Sequence, residues 1–331
     1  MDKQALISEM HKFHFGNKIF CTDGQAGTLT HVLCEASTKR LTQLALKQNR
    51  LFGKTFYLPF QAVTRATGEG IWLNVTLAEL ATAPGSPEAG VLLDTHTSVR
   101  GGSADGTLLM VAAQPGNGKL AYIVVHDLTA GRDTLLSEQY ITALTPGQML
   151  TTITAQMLDT LPPYRSDREL QQEVEEIIFD LAFLHIDLKG MHLHVLDGVL
   201  YMEGNISSNL RGELARDQVG GVAGLLEVKN NLVGDDTLAG DIALALGQDE
   251  RTHDLPLGVY PQLGVVRLSG STHNEQQKAV AGEIAKTFAG VRGVINDLVV
   301  DPAADMLYVM SAPEGGEARD ITPGKFTRHT K

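Results

Sequence analysis

The chain has 331 residues, 43% of them hydrophobic and 20% charged, and a net charge of −12. That length suggests roughly two to four domains of ordinary size, and the charge excess, which lies wholly in residues 166–301, keeps that half from gripping nucleic-acid phosphates. Two cysteines, Cys21 and Cys34, exclude a disulfide framework or a cysteine-built zinc site, and both read as small apolar strand residues.

The first fifteen residues lack the apolar run and small-residue cleavage site of a signal peptide. No stretch approaches the roughly 18 apolar residues that would span a bilayer, so a cytoplasmic location is the expectation. Short alternating or β-branched runs then follow, punctuated by Gly, Asn, Pro and Thr, and they repeat. Gly27-Thr28-Leu29 returns as Gly106-Thr107-Leu108, 79 positions on, and residues 40–46 return as residues 119–125. After a one-residue slip, residues 58–63 match 136–141 and residues 72–76 match 150–154. The pattern predicts two small antiparallel barrels, residues 15–82 and 91–160. Between them, residues 83–90 form a Pro/Gly/Ser connector with nothing to pack. Leu161-Pro162-Pro163-Tyr164-Arg165 marks the main boundary, because two prolines fix φ and remove two amide donors.

The second half repeats at an offset of 66. Gly198, Gly204, Gly224 and Asn230 recur as Gly264, Gly270, Gly290 and Asn296. Ser166-Asp167-Arg168-Glu169 reads as a capping box, and Leu170, Val174, Ile177, Ile178, Leu181 and Leu184 follow on one helical face. Leu238, Ile242, Ala245 and Leu246 keep that spacing at an offset of 68, which places a loop two residues shorter in the second copy. Asp197-Gly198 is a favoured hairpin turn. A second helix is expected from Ser207 or Ser208 in the first copy, and from a capping box at Thr272-His273-Asn274-Glu275 in the second. Residues 226–233 and 294–300 form the closing strands. The predicted order is α-β-β-α-β, an α+β module, in residues 166–233 and again in 234–301. Residues 312–331 lack apolar periodicity and are expected to be disordered.

The glycine and asparagine pattern of the second half resembles the BON domain family. Gly198, Val199, Gly204, Gly224, Val228 and Asn230 carry it in the first copy, with Leu225 where the family has valine. Gly264, Val265, Gly270, Gly290, Val291, Val294 and Asn296 carry it in the second, with Leu263 in place of the hairpin aspartate. The first half is similar to the PRC-barrel family through residues 23–29 and residues 56–63, whose Pro59 becomes Ser137 in the second copy. These resemblances imply adaptor or binding modules: membrane or cell-envelope attachment for BON domains, protein partners for PRC barrels. They bring no catalytic residue.

Bland readings win at each candidate for chemistry. Gly116-Asn117-Gly118-Lys119 lacks the first glycine and the hydroxyl residue of a phosphate loop and reads as a hairpin turn. His192 and His194 share a strand face with His185 upstream, yet the second copy has Gly258 and Tyr260 there, so a metal site is not expected. His11, His14 and His31 are scattered. Glu169, Glu173, Glu175, Glu176 and Asp180 lie on a solvated helix face. Residues 219–224 read as a helix end with left-handed glycine. No catalytic, cofactor-binding or metal residue is therefore assigned, and no cofactor is expected.

Between residues 166 and 301 stand 22 acidic and 10 basic residues, so the duplicated half carries the whole net charge. Nucleic acid and anionic lipid are disfavoured partners for that half. The expectation is a multidomain, non-enzymatic binding or scaffolding protein that engages a protein partner or a lipid-associated complex. The alternatives are a phospholipid-binding stress protein and a ribosome-associated maturation factor acting through the barrels.

Overall fold

The computed structural model describes residues 5–48, 53–102, 104–161 and 163–303. The chain is multidomain and mostly β, with several open sheets and a few helices. It divides into two compact units. The first takes the described residues up to Leu188 with His192–Glu203 and Glu213–Asn231, and the second takes Lys189–Met191, Gly204–Gly212 and the described residues from Leu232 onward. The expected disordered tail, 312–331, lies outside the described residues.

In the first unit two sheets share one strand order. The first runs Thr55–Pro59, Arg40–Lys47, Gly24–Glu35, Lys18–Cys21, Gly70–Leu73, Val63–Thr67. The second runs Arg132–Ser137, Leu120–Thr129, Ala104–Ala113, Ser98–Gly101, Gln148–Thr151, Ile141–Thr145, with the short strand Pro163–Tyr164 added beyond Arg132–Ser137. The expectation of closed antiparallel barrels is corrected on two counts. Lys18–Cys21 pairs parallel with Gly70–Leu73, as Ser98–Gly101 does with Gln148–Thr151. The ends of each path are joined by 3-10 turns, Phe60–Ala62 and Glu138–Tyr140, where a closed barrel would have ladder pairs. Alternation marks strands; it does not say which edges meet.

The two sheets exchange their first strands. His11–His14, at the start of the first repeat, pairs with Ala104–Ala113 of the second sheet. Val91–Leu93, at the start of the second repeat, pairs with Gly24–Glu35 of the first. Phe13 thus lies opposite Val111, and Leu93 opposite Val32, all four fully buried. A bridge between Arg40 and Lys119, equivalent positions of the two repeats, completes a pseudo-twofold arrangement. A single apolar cluster runs through both sheets, from Leu29, Leu46 and Ile71 to Leu108, Ile123 and Met149.

Beyond residue 166 the order α-β-β-α-β occurs twice. Its first pass is Asp167–Asp180, Met191–Leu196, Val199–Ile206, Asn209–Val219 and Glu227–Gly234. Ser166 caps the first helix, its hydroxyl accepting from Glu169 N while the Glu169 carboxylate accepts from Ser166 N, and Leu170, Val174 and Ile178 are buried. The second pass is Asp235–Gln248, Leu257–Gln262, Val265–Thr272, Glu275–Lys286 and Gly293–Asn296, around a core that includes Leu238, Ile242, Val266, Leu268 and Ala281. The expected capping box at Thr272 is corrected: Thr272 is a fully buried strand residue, and Asn274 is the cap, accepting from Gln277 N. The hairpin turns explain the glycine repeat. Gly198 and Gly264 sit at φ 74° and 79°, preceded by Asp197 at 53° and Leu263 at 46°. In each copy the aspartate at the first position of the leading helix accepts from both turn amides, Asp167 from those of Asp197 and Gly198, Asp235 from those of Leu263 and Gly264.

Candidate functional site

Within the first unit, the exchanged strand and the first hairpin turn meet at a buried ionic cluster. Phe13 faces the apolar core, so strand alternation turns its neighbour Lys12 away from that core. Lys12 is nevertheless only 1% exposed, and its Nζ lies 4.0 Å from Asp197 Oδ2. His14 Nε2 donates to Asp197 Oδ1 at 2.6 Å, and the Gly68 amide donates to Oδ2 at 2.9 Å. A Cβ on Gly68 would stand 2.9 Å from Asp197 Oδ1, so only glycine admits the carboxylate this closely. Asn17 steadies that loop, its Nδ2 donating to the carbonyls of Thr67 and Gly68. Nearby, Ser8 donates through its amide and hydroxyl to the two carboxylate oxygens of Glu227, at 2.8 and 3.0 Å.

Burial works against ionisation of Asp197, but the hydrogen bond from His14, the charges of His14 and Lys12, and the Gly68 amide outweigh it and hold the carboxyl below its usual range. For Lys12 the balance is reversed. Burial pushes its ammonium below the ordinary lysine value despite Asp197, Glu227 and Asp167. The cluster therefore needs its carboxylate more than its ammonium.

Beside it lies a cavity of about 320 Å³, lined among others by Met10, His11, Arg65, Thr67, His194 and Tyr201. His194 stacks on Tyr201 with centroids 4.8 Å apart, and the Arg65 guanidinium sits 4.6 Å over Trp72. The Thr67 hydroxyl is buried there with no protein partner. No group of three His, Cys, Asp or Glu that could hold a metal ion occurs among the described residues.

The sequence candidates separate accordingly. His11 and His14 enter this site, whereas His31 packs on Tyr57. His192 and His194 are exposed, and His185 bonds the Phe179 carbonyl. Residues 115–117 form a turn, and Lys119 beyond it pairs with Glu138 at 2.8 Å. Glu173 binds Arg165 at 2.6 Å, while Glu169, Glu175, Glu176 and Asp180 are exposed. Cys21 and Cys34 are buried, and burial pushes the Cys34 thiol up to about 12. Sequence reasoning missed Ser8, Lys12, Glu227 and the role of the Asp197 carboxylate. A signal existed: the hairpin aspartate is absent from the second copy, where turn geometry alone would have kept it.

His11 and His31 are both shifted down, by burial. A group depressed in the folded state gives stability that is full above its unfolded value and lost as pH falls through the folded one. The melting temperature should therefore drop as pH is lowered below about 6.5, and His11→Gln should flatten that slope. His126, an exposed imidazole shifted upward by its hydrogen bond to Asp133, acts in the opposite sense, weakened by solvent. A melting temperature constant between pH 7.5 and 5 would contradict this.

On the second α-β-β-α-β module the strand face equivalent to His194, Val199 and Tyr201 carries Tyr260, Val265 and Arg267, which with Ile295 line an open groove of about 300 Å³. Residues 234–302 match the family model described as BON domain. No functionally curated protein matches the chain. Two similar solved structures are of CdsD, a structural protein of the type III secretion system of Chlamydia trachomatis. One is 15% identical with a TM-score of 0.33, covering 40% of this chain and 61% of that one. The other, the C-terminal domain, is 18% identical with a TM-score of 0.34, covering 42% and 68%. Among the described residues no helix is long and apolar enough to cross a membrane.

Proposed function

We propose that the chain is a non-enzymatic scaffold in which two PRC-like sheet repeats and two BON-like modules present faces for protein partners. The observation that carries this reading is the unequal use of one repeated face. In the first module it lies against residues 8–11 and 64–67, with Val199 fully buried; in the second the equivalent Val265 is 37% exposed beside Tyr260 at 60%. The family match of residues 234–302 supports a binding module, and two repeats related by an exchanged strand pair suit a rigid platform.

The family match also favours a second reading, a lipid surface, which the acid excess of residues 166–301 makes a zwitterionic one. A photo-crosslinkable residue at position 260 of the full chain tests both. Discrete protein adducts formed in the native lysate support the scaffold. Flotation of the full chain with zwitterionic vesicles, without protein adducts, would replace it by the lipid reading.

A further inference from the structure

We propose that the pseudo-twofold sheet pair carries a second docking site, filled by the second module, residues 234–302, of another copy of this chain. The inference rests on the scaffold reading and supplies its partner. Strand register fixes the equivalences. Lys12 lies opposite Ala112, and Leu92 opposite Leu33, and Ala112 stands 79 positions after Leu33. Leu92 therefore occupies the Lys12 position of the related site, with Asp94 two residues on where the first site has His14. Val63–Thr67 is repeated as Ile141–Thr145, so Pro146 stands where Gly68 does.

The three groups that hold Asp197 are thus all changed together. The ammonium becomes an apolar side chain, the imidazole a carboxylate, and the amide donor a proline without an N–H. Such a site would reject a carboxylate. The second module offers none, because its turn has Leu263 in place of Asp197. Glu227 changes in step: its partner Ser8 corresponds to Glu88, which would repel a glutamate, and the second module has Gly293 there. Both halves of the related contact have moved from charged to apolar.

Exposure agrees with vacancy. Lys12 is 1% exposed and Leu92 41%, and Val199 is buried where Val265 is 37% exposed. Tyr260 and Ile295, at 60% and 41%, are exposed beside Val265 in the groove of the second module. The occupant is taken from a second chain, since a site filled by the chain's own module would leave the wild type monomeric. Each copy then offers one site and one module, a heterologous contact that builds open chains or closed rings.

Sedimentation of the full chain across a concentration series tests this. Wild type should associate with rising concentration. Leu263→Asp and Leu92→Glu, each bringing an unmatched charge into the contact and repelling one another, should each weaken association at least about tenfold. The melting temperature of each variant is the folding control, because aspartate tolerates the left-handed turn better than leucine while Leu263 Cδ2 also lies beside Gly190. Mixing the two variants should give a heterodimer that grows no further, because one chain keeps an intact site and the other an intact module. A wild type monomeric throughout, variants that associate as wild type does, or a mixture that stays monomeric would each overturn the proposal. A monomeric chain that still yields foreign adducts from position 260 would overturn it while sparing the scaffold reading.

Discussion

Replacing Asp197 by alanine should lower the unfolding free energy of the first unit by about 3–5 kcal/mol, the usual loss when one partner of a buried charge cluster is removed. The carboxylate is 2% exposed and serves three groups at once, and without it buried Lys12 keeps only the weaker attraction of Glu227 and Asp167. His14 and the Gly68 amide lose their acceptor as well. Alanine at a turn position with φ 53° adds about 1 kcal/mol of backbone strain. Asp197→Asn separates these contributions: asparagine keeps the left-handed turn and an acceptor oxygen while removing the charge, so it should lose less. Adding Lys12→Met to Asp197→Ala should recover a large part of the loss, because it removes the stranded ammonium. Trp72, the chain's one tryptophan, lies under Arg65 near this site and reports unfolding by fluorescence in a denaturant titration. A loss under about 1 kcal/mol for Asp197→Ala would mean that the cluster does not hold the hairpin to the exchanged strand.

The single-residue signals in the sequence were those set by local geometry. Gly198, Gly204 and Gly224, like Gly264, Gly270 and Gly290, all adopt positive φ, a requirement that survives duplication whatever the surroundings become. The Ser166 capping box and the buried positions Leu170, Val174 and Ile178 were legible because a helix declares its own period. The strand exchange was not legible. His11–His14 and Val91–Leu93 could each pair with their own sheet as far as alternation shows, and the choice depends on contacts between residues about a hundred positions apart. Thr272 misled because a Ser/Thr-x-x-Glu/Gln-like spacing also fits a strand end, where its hydroxyl donates to the Asn274 carbonyl. Lys12 was invisible for a different reason: lysine is a surface residue until another module covers it. What pointed to the site was a difference between copies, Asp197 against Leu263, and differences between copies carry more about partners than likenesses do.

The exchange has a mechanical consequence that Gly106→Ala should expose. Gly106 stands where the long strand Ala104–Ala113 serves two neighbours, Val99 on one side and, through Thr107, His126 on the other. A Cβ there would lie 2.6 Å from both the His126 carbonyl oxygen and Val125 Cγ1, and 2.9 Å from Leu128 Cγ, beside the buried core. Its equivalent, Gly27, would collide with the Lys47 carbonyl, 79 positions before His126. Backbone cannot step aside as a side chain can, so each alanine should cost about 3 kcal/mol, at the upper end for overpacking. Gly131→Ala is the control for φ alone: it has φ +70° with nothing within 4 Å of a new Cβ, and should cost only about 1 kcal/mol. Because Phe13 and Leu93 cross between the sheets and one core serves both, the lesion at Gly106 in the second sheet should shift the transition seen by Trp72 in the first. Fluorescence and far-ultraviolet circular dichroism should move together to a lower midpoint. If Trp72 kept its wild-type midpoint while circular dichroism reported a separate early transition, the two sheets would be independent folding units and the exchanged strands would be a contact without mechanical consequence.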